Sequence, residues 1–191
     1  MYQKFQVKPC FIFDESGLYC NDSMWIIPTD SKALLAILNS KMGWWLISKY
    51  CTQIQNGYQL IWKYFGQIPI PEKLPEDLEN LADKMLSLNA DLQSKRQRFL
   101  KRLADNFAGI KITGKIEIFD DLDFAQFLAE LKKQKIELSF TKQDELDEYF
   151  SKIKTECNSL SAEISATDKE INSLVYALYG LSEEEVGIID K

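Results

Sequence analysis

The sequence predicts an α+β protein: a small mixed α/β lobe with antiparallel strands, followed by a long antiparallel helical hairpin. Two observations support this class. The first third of the chain is aromatic and β-prone, whereas the remainder carries two apolar series with heptad spacing. A Pro-Ile-Pro connector at residues 69–71, which suits neither a central strand nor a helix, lies between them. We therefore predict a first lobe over residues 1–73 and a helical lobe over residues 74–191.

The first lobe opens with short extended segments. Residues 2–7 and 10–14 are aromatic and β-prone, and residues 14–17 form a turn signal of Asp, Glu, Ser and Gly. Residues 18–28 then resume an extended pattern. Together these segments predict a small antiparallel meander.

A helix follows the meander. Residues 29–31, Thr-Asp-Ser, can cap free backbone N–H groups, and apolar residues keep a helical spacing from there to about Cys51. The Asn56-Gly57 pair predicts a turn. Residues 58–65 are expected to form an aromatic strand or an extended loop.

Two heptad series predict the long helices. The first has one polar interruption and consists of Leu78, Leu81, Met85, Leu88, Leu92, Lys95 and Phe99. The second consists of Leu146, Phe150, Ile153, Cys157, Leu160, Ile164, Thr167, Ile171, Leu174 and Leu178. Two such helices should fold back as an antiparallel hairpin. Their connection is predicted to be extended over residues 110–119 and helical over 122–131, and Gly180 and Ser182 mark a helix end and a new helix start.

The charge is divided unevenly along the chain. The net charge of −6 argues against a generic nucleic-acid coat protein. Residues 1–73 carry seven Lys, no Arg and five acidic residues, a balance of +2, while residues 74–191 carry a balance of −8. All four Trp also lie in the first lobe. The first lobe is therefore the more plausible place for contact with a polyanion.

No catalytic residue and no metal ligand is predicted. The absence of His excludes His-based triads, bases and metal sites, and no phosphate-binding Gly-rich loop occurs. The Cys residues are scattered, which argues against zinc and favours reduced thiols over a Cys10–Cys20 disulfide. Lys49 lies near enough in sequence to lower the pKa of Cys51, but a buried, idle thiol is favoured. The acidic segment 120–123, Asp-Asp-Leu-Asp, precedes a helix, where capping is favoured over metal binding.

A membrane location is not expected. No apolar run approaches the roughly 20 residues needed to span a bilayer. The first residues also lack the basic segment and apolar stretch of a signal peptide. We therefore expect a cytoplasmic protein without a membrane partner.

Two groups of residues are candidates for phosphate or base contact. One is the basic cluster on the first long helix, for which pairing with acids of the facing helix is favoured over phosphate contact: Lys95, Arg96, Arg98, Lys101 and Arg102. The other lies in the first lobe, where lysines can neutralise phosphates and amides can read adenine bidentately. Its candidate DNA-binding residues are Tyr19, Asn21, Lys41, Lys49, Gln53, Gln55, Asn56, Tyr58, Gln59 and Lys63. An ordinary polar loop is the alternative interpretation.

Four strings, in order along the chain, are similar to a known family. They are residues 8–21, the helix Leu34–Lys41 with its sequence LLAILNSK, the segment Ile68–Pro71, and residues 168–185 with VYALYGLSEEE. This set resembles the TaqI-like C-terminal specificity domain, the target recognition domain of restriction–modification adenine-specific DNA methyltransferases. The resemblance covers nearly the whole chain.

The resemblance implies a DNA sequence-specificity domain that is not catalytic by itself. Double-stranded DNA and the methyltransferase domain of the same polypeptide would be its partners, with an endonuclease fused in some members. S-adenosylmethionine, with Mg²⁺ left open, would belong to that catalytic part and not to this chain. The resemblance assigns no base contacts, so the candidate residues rest on their chemistry. The alternative is a coiled-coil-type protein–protein interaction domain without DNA binding.

Overall fold

The structure, a computed structural model, describes residues 1–190 and confirms the α+β class with a long antiparallel helical hairpin. It divides into two compact units. Unit 1 comprises Met1–Met85 together with the residues from Ala166 onward, and unit 2 comprises Leu86–Ser165. The units differ from the predicted lobes, because the beginning of the first long helix and the end of the second pack with the front of the chain.

Five short strands form two antiparallel sheets in unit 1. They are β1 (Tyr2–Gln3), β2 (Phe5–Gln6), β3 (Met24–Trp25), β4 (Thr52–Ile54) and β5 (Gly57–Gln59). β1 pairs with β3, while the other sheet has the order β2-β5-β4. The expected single meander is therefore wrong in detail, since the first extended segment is shared between the two sheets.

The predicted helix from residue 31 to 51 is broken into α1 (Lys32–Asn39) and α2 (Lys41–Tyr50). Ser40 lies at the break: its Oγ donates to the Ile37 carbonyl at 2.7 Å and accepts from the Gly43 N–H at 3.0 Å. A Cβ at Gly43 would lie 2.1 Å from the Ile37 oxygen, so only glycine permits this approach. Ser40 thus competes with the helical backbone and redirects the chain.

The residues after β5 are helical rather than extended. Trp62–Phe65 forms the one-turn helix α3, which overturns the predicted strand or loop in that range. The buried Phe65 ring lies 4.9 Å from that of Tyr2 and 5.7 Å from that of Phe11. The helical turn places Phe65 in the core and leaves its three neighbours at the surface.

The long helices are α4 (Glu76–Asn106) and α7 (Phe140–Leu178). In unit 1 they cap the shorter helices. The Glu79 carboxylate accepts the N–H groups of Lys32 and Ala33 at 2.9 and 2.7 Å, and Asn172 Oδ1 accepts the N–H of Lys41 at 2.8 Å. These bonds satisfy backbone donors at the starts of α1 and α2. They explain why the start of α4 and the end of α7 belong to unit 1.

Unit 2 buries the middle of both heptad series with the connection between them. Its antiparallel pairing brings Lys95 Nζ to 2.6 Å from Glu156 Oε2 and the Phe99 ring into contact with the Phe150 ring. The core residues are Leu92, Phe99, Leu103, Ile116, Phe119, Phe127, Leu131, Phe150, Ile153 and Cys157. The predicted helical seams are therefore confirmed as core positions here.

The connection contains α5 (Gly114–Glu117), a 3₁₀ turn at Phe119–Asp121 and α6 (Phe124–Lys133). α6 confirms the predicted helix, and its cap is a capping box between Asp123 and Gln126. The expected extended segment over residues 110–119 is wrong. Ile116 in α5 and Phe119 in the 3₁₀ turn are both fully buried, so two short helical elements supply the buried side chains of this segment.

The basic cluster follows the favoured pairing with the facing helix at its first position, whereas the second position pairs with the connection. Lys95 pairs with Glu156 of the facing helix, and Arg96 binds the Asp120 carboxylate through two nitrogens, the closest contact being 2.6 Å. Asp120 lies in the connection and is buried. The Arg102 guanidinium lies over the Tyr149 ring at 5.5 Å.

The chain ends with α8 (Glu183–Ile189). Gly180 has a φ of +67°, and Ser182 and Glu185 form a capping box, which confirms the predicted helix end and restart. Within residues 1–190 no helix combines the length and apolarity that crossing a membrane requires.

Candidate nucleic-acid interface

Half of the candidate residues meet in the β4–β5 hairpin. Gln53 pairs with Tyr58 and Thr52 with Gln59, while Gln55 and Asn56 form the tip. The side chains of Gln53, Gln55 and Asn56 are exposed. The hairpin thus presents several amide groups, each with paired donor and acceptor capacity, at one edge of the three-stranded sheet.

The two faces of this sheet differ, because strand side chains alternate. Gln53 shares a face with Tyr58 and the buried Gln6, and the Tyr58 ring meets the Trp44 ring edge-on at 5.3 Å. Gln59 shares the opposite face with the half-exposed Phe5. The structure therefore separates Gln59 from Gln53, although both belong to one hairpin.

The hairpin turn lies one residue earlier than the Asn56-Gly57 signal indicates. Gln55 has a φ of +40° and takes the first central position, whereas Gly57 belongs to β5. A Cβ at Gly57 would lie 2.2 Å from the Gln6 carbonyl oxygen. Gly57 is thus required for the close approach of β2 and not for the turn itself.

The three candidate lysines have different surroundings. Lys41 Nζ lies 2.9 Å from Asp190 Oδ1, which also accepts the Tyr176 hydroxyl at 2.6 Å. The hydrogen bonds from Tyr176 and then Lys41 lower the pKa of Asp190. The Asp190 carboxylate therefore stays charged and keeps Lys41 in an ion pair. Lys49 and Lys63 instead lie over the rings of Trp45 and Tyr64, at 5.1 and 5.5 Å.

Tyr19 and Asn21 lie apart from the hairpin, on the loop that leads to β3 of the other sheet. Tyr19 is fully exposed. Asn21 Oδ1 accepts the Ser23 N–H at 3.0 Å and the Ser23 hydroxyl at 2.6 Å, so this amide oxygen is used to hold its own loop.

An open cleft of about 760 Å³ adjoins the hairpin tip. Phe5, Val7 and Ile54 contribute apolar surface, while Lys8 and Asn56 contribute polar groups. Clefts that combine an apolar lining with a few polar groups are typical of sites that bind small molecules.

Residues that the candidate list omits share a signal readable in the sequence. Residues 1–13 and 31–71 contain six lysines and no Asp or Glu. Lys4, Lys8, Lys49 and Lys63 make no ion pair with any carboxylate among the described residues. A search for acid-free stretches would have added Lys4, Lys8 and Lys32 to the candidates, and of these three Lys32 pairs with Asp83.

Two of the four thiols, those of Cys51 and Cys157, are buried. Cys51 is buried, and burial raises its pKa to about 11, in agreement with the favoured idle thiol. Cys10 and Cys20 are free, so the alternative disulfide is not formed. Across the described part of the chain, no cluster of three or more Cys, Asp or Glu residues is arranged to hold a metal ion.

Comparison with known proteins gives a family without a known activity. No curated protein matches the chain, and no solved structure matches it. One family model matches residues 71–175, which is more than half of the chain and runs from the connector to near the end of α7. The chain belongs to the family of the domain of unknown function DUF8810.

Proposed function

We propose that this chain is the DNA sequence-specificity domain of a bacterial restriction–modification adenine methyltransferase, and that it is not catalytic by itself. It contacts double-stranded DNA through the front of unit 1 and works in the cytoplasm. Its other partner is the methyltransferase domain of the same polypeptide, which binds S-adenosylmethionine. One observation carries the proposal: an exposed amide hairpin is accompanied, in an acid-free part of the sequence, by Lys49 and Lys63, which pair with no carboxylate among the described residues.

The geometry suits readout in the major groove. A two-stranded ribbon fits the width of that groove, and Gln and Asn side chains pair with the N6 and N7 edge of adenine. Gln55 and Asn56 form the tip of such a ribbon, with Gln53 exposed beside them. Lys49 and Lys63 supply the sequence-independent phosphate attraction that positions the ribbon.

The helical region that matches DUF8810 has a supporting role in this proposal. Its two long helices bury their seams within the chain. Glu79 and Asn172 cap the helices of the front region and thereby fix α1 and α2. We assign recognition to residues 1–73 and support to the helices that follow.

The first test measures binding of the 191-residue chain to a pool of fluorescent duplexes with a randomised centre. Affinity should fall steeply with salt, with a slope of about −0.9 in log K against log salt for each phosphate neutralised. Repeated selection of the bound fraction should enrich a preferred sequence. The Lys49→Gln and Lys63→Gln variants should each reduce the slope by about one.

The second test separates recognition of the base sequence from electrostatic attraction to the phosphates. Replacing Gln53, Gln55 and Gln59 together by Ala should relax the enriched sequence while leaving the salt slope unchanged. Single variants at Gln53 and Gln59 then show which sheet face meets the bases. Lys101→Gln, on the exposed side of α4 in unit 2, is the matched charge control and should alter neither quantity.

Unchanged selectivity in the triple variant would overturn the proposed reading hairpin. If the wild-type chain binds no duplex at low salt, the specificity function is wrong. Self-association or capture of another chain in the same preparation would then favour the coiled-coil interaction alternative.

A further inference from the structure

The one-turn helix α3 exposes two aromatic rings beside a lysine. Trp62, Lys63 and Tyr64 all point away from the core, and more than half of Trp62 is accessible to solvent. Phe65, on the same turn, is buried against Tyr2 and Phe11 and anchors the helix. The exposed rings are therefore held on a fixed support.

The Trp62 indole is also fixed in orientation. It lies so close to Gly66 that a Cβ there would be 2.9 Å from Cε2 of the ring. The Trp62 and Phe65 ring centroids are 6.2 Å apart. One face of the indole is thus supported by the chain while the side chain stays half exposed, an arrangement suited to contact with a further flat group.

A second lysine and aromatic ring lie at the start of β2. The Lys4 carbonyl accepts the Leu60 N–H at 2.8 Å, and Phe5 pairs with Gln59. These backbone partners precede Trp62 by two and three residues in the chain. Phe5 is half exposed, and Lys4 Nζ lies 5.7 Å from its ring centre. We call Lys4, Phe5, Trp62, Lys63 and Tyr64 the aromatic–lysine surface.

The charge of this surface selects among partners. It lies within the acid-free stretches 1–13 and 31–71, and neither Lys4 nor Lys63 pairs with a carboxylate in the described residues. Exposed rings interleaved with unpaired lysines match the two components of a nucleotide strand, its flat bases and its phosphates.

We propose that the aromatic–lysine surface binds unpaired nucleotides, with Trp62 and Tyr64 stacking on bases and Lys4 and Lys63 contacting the flanking phosphates. This rests on the proposed DNA-binding function and specifies its substrate: a duplex with locally unpaired bases in addition to intact duplex. Internal bases of an intact duplex have both faces covered by their neighbours. Unpaired bases, in contrast, offer a free face to these rings.

The test compares three fluorescent DNAs of one sequence: a perfect duplex, the same duplex with a central stretch of unpaired bases, and the single strand. The wild-type chain should bind the two DNAs with unpaired bases more tightly than the perfect duplex. Trp62→Ala should weaken binding to those two by roughly fivefold to a hundredfold and leave the perfect duplex unaffected. Tyr64→Ala should act in the same direction.

Two further variants keep the result interpretable. Trp62→Phe retains a ring at the surface and should lose less affinity for unpaired DNA than Trp62→Ala. Ile26→Ala removes an equally exposed apolar side chain of unit 1 that has no aromatic face, and it should bind all three DNAs as the wild type does. Circular dichroism of each variant should show the same helical content as the wild type, which checks that the variants fold.

The outcomes distinguish this proposal from the specificity function. If Trp62→Ala and Tyr64→Ala bind unpaired DNA like the wild type, the stacking surface is wrong while duplex recognition stands. If the wild type binds none of the three DNAs, both proposals fail. If these variants lose as much affinity for the perfect duplex as for unpaired DNA, the stacking role is also wrong, since the rings would then contribute to DNA binding of any kind.

Discussion

The two units differ in what they leave at the surface. Ten large apolar side chains are exposed in unit 1: Phe5, Val7, Ile12, Leu18, Tyr19, Ile26, Tyr50, Trp62, Tyr64 and Ile188. In unit 2 the exposed ones are Ile112, Ile118 and Phe140. Because isolated exposed apolar residues are ordinary but a concentration of them marks contact surfaces, the difference supports our proposal that DNA binds to unit 1.

The interiors differ as well. Unit 2 packs phenylalanines between its helices, with the Phe99 and Phe119 rings stacked at 3.9 Å, and contains the ion pair between Arg96 and the buried Asp120. Unit 1 relies on close backbone approaches that only glycine allows, at Gly43 and Gly57. Unit 2 should therefore be most sensitive to the loss of a charge partner, and unit 1 to the addition of a single carbon.

The largest expected effect is in unit 2. Asp120→Ala leaves the largely buried Arg96 guanidinium without its carboxylate and should lower the free energy of unfolding by about 3–5 kcal/mol, measured by urea denaturation. Adding Arg96→Met should recover part of that loss, since the unpaired charge is then removed. DNA affinity, measured below the unfolding midpoint, should be unchanged.

Glu156→Ala provides the matched control in the same unit. It also removes one carboxylate from an ion pair, but Lys95 and Glu156 are each more than a third exposed, so water replaces the lost partner. A much smaller loss of stability is expected. Equal losses in Asp120→Ala and Glu156→Ala would show that burial does not decide the strength of these pairs.

The next effect concerns unit 1. Gly57→Ala places a carbon 2.2 Å from the Gln6 carbonyl and should force β2 away from β5, at a cost of about 2 kcal/mol in unfolding free energy. The displaced hairpin should also lose DNA selectivity. Gly114→Ala is the control, because its new carbon meets no atom within 4 Å, and it should keep both properties. Wild-type stability in Gly57→Ala would contradict the required close approach.

Gly57 also shows where sequence reasoning reaches its limit. Features set by neighbouring residues could be predicted: the heptad seams, the capping box at Ser182 and Glu185, and the left-handed Gly180. Gly57 was expected to form a turn because it follows Asn56. Its actual constraint comes from β2, which lies about fifty residues away in the sequence, and no local pattern records that contact.

The same limit applies to the candidate site. The amides around Gln55 could be predicted to lie together, since they belong to one hairpin. The pairing of Lys41 with Asp190 spans 149 positions and could not. Phe65 likewise determines the helical form of α3 through contacts with Tyr2 and Phe11, so the exposure of Trp62 followed from the fold and not from the local sequence.

The smallest expected effect concerns the cost to unit 1 of burying a hydroxyl group that has no hydrogen-bond partner among the described residues. The Tyr2 hydroxyl is buried and has no hydrogen-bond partner among the described residues, whereas the Tyr179 hydroxyl donates to the Pro69 carbonyl at 2.8 Å. Tyr2→Phe should therefore raise the unfolding free energy by about 1 kcal/mol, and Tyr179→Phe should lower it by about 1 kcal/mol. Thermal and urea denaturation at neutral pH measure both, and a shared sign would contradict the assignment.

Alkaline pH should widen the gap between Tyr2→Phe and the wild type. Burial raises the pKa of Tyr2 to about 12, so above the ordinary tyrosine pKa of 10.0 the unfolded chain loses this proton before the folded chain does. The stability due to neutral Tyr2 is complete below pH 10 and is lost as pH rises toward about 12. The Tyr2→Phe protein has no such proton to lose and should decline less steeply. If the unfolding free energies of the wild type and Tyr2→Phe fall in parallel with pH, the Tyr2 hydroxyl reaches water in the folded protein. The assignment of Tyr2 to a tightly packed core beneath α3 would then be wrong.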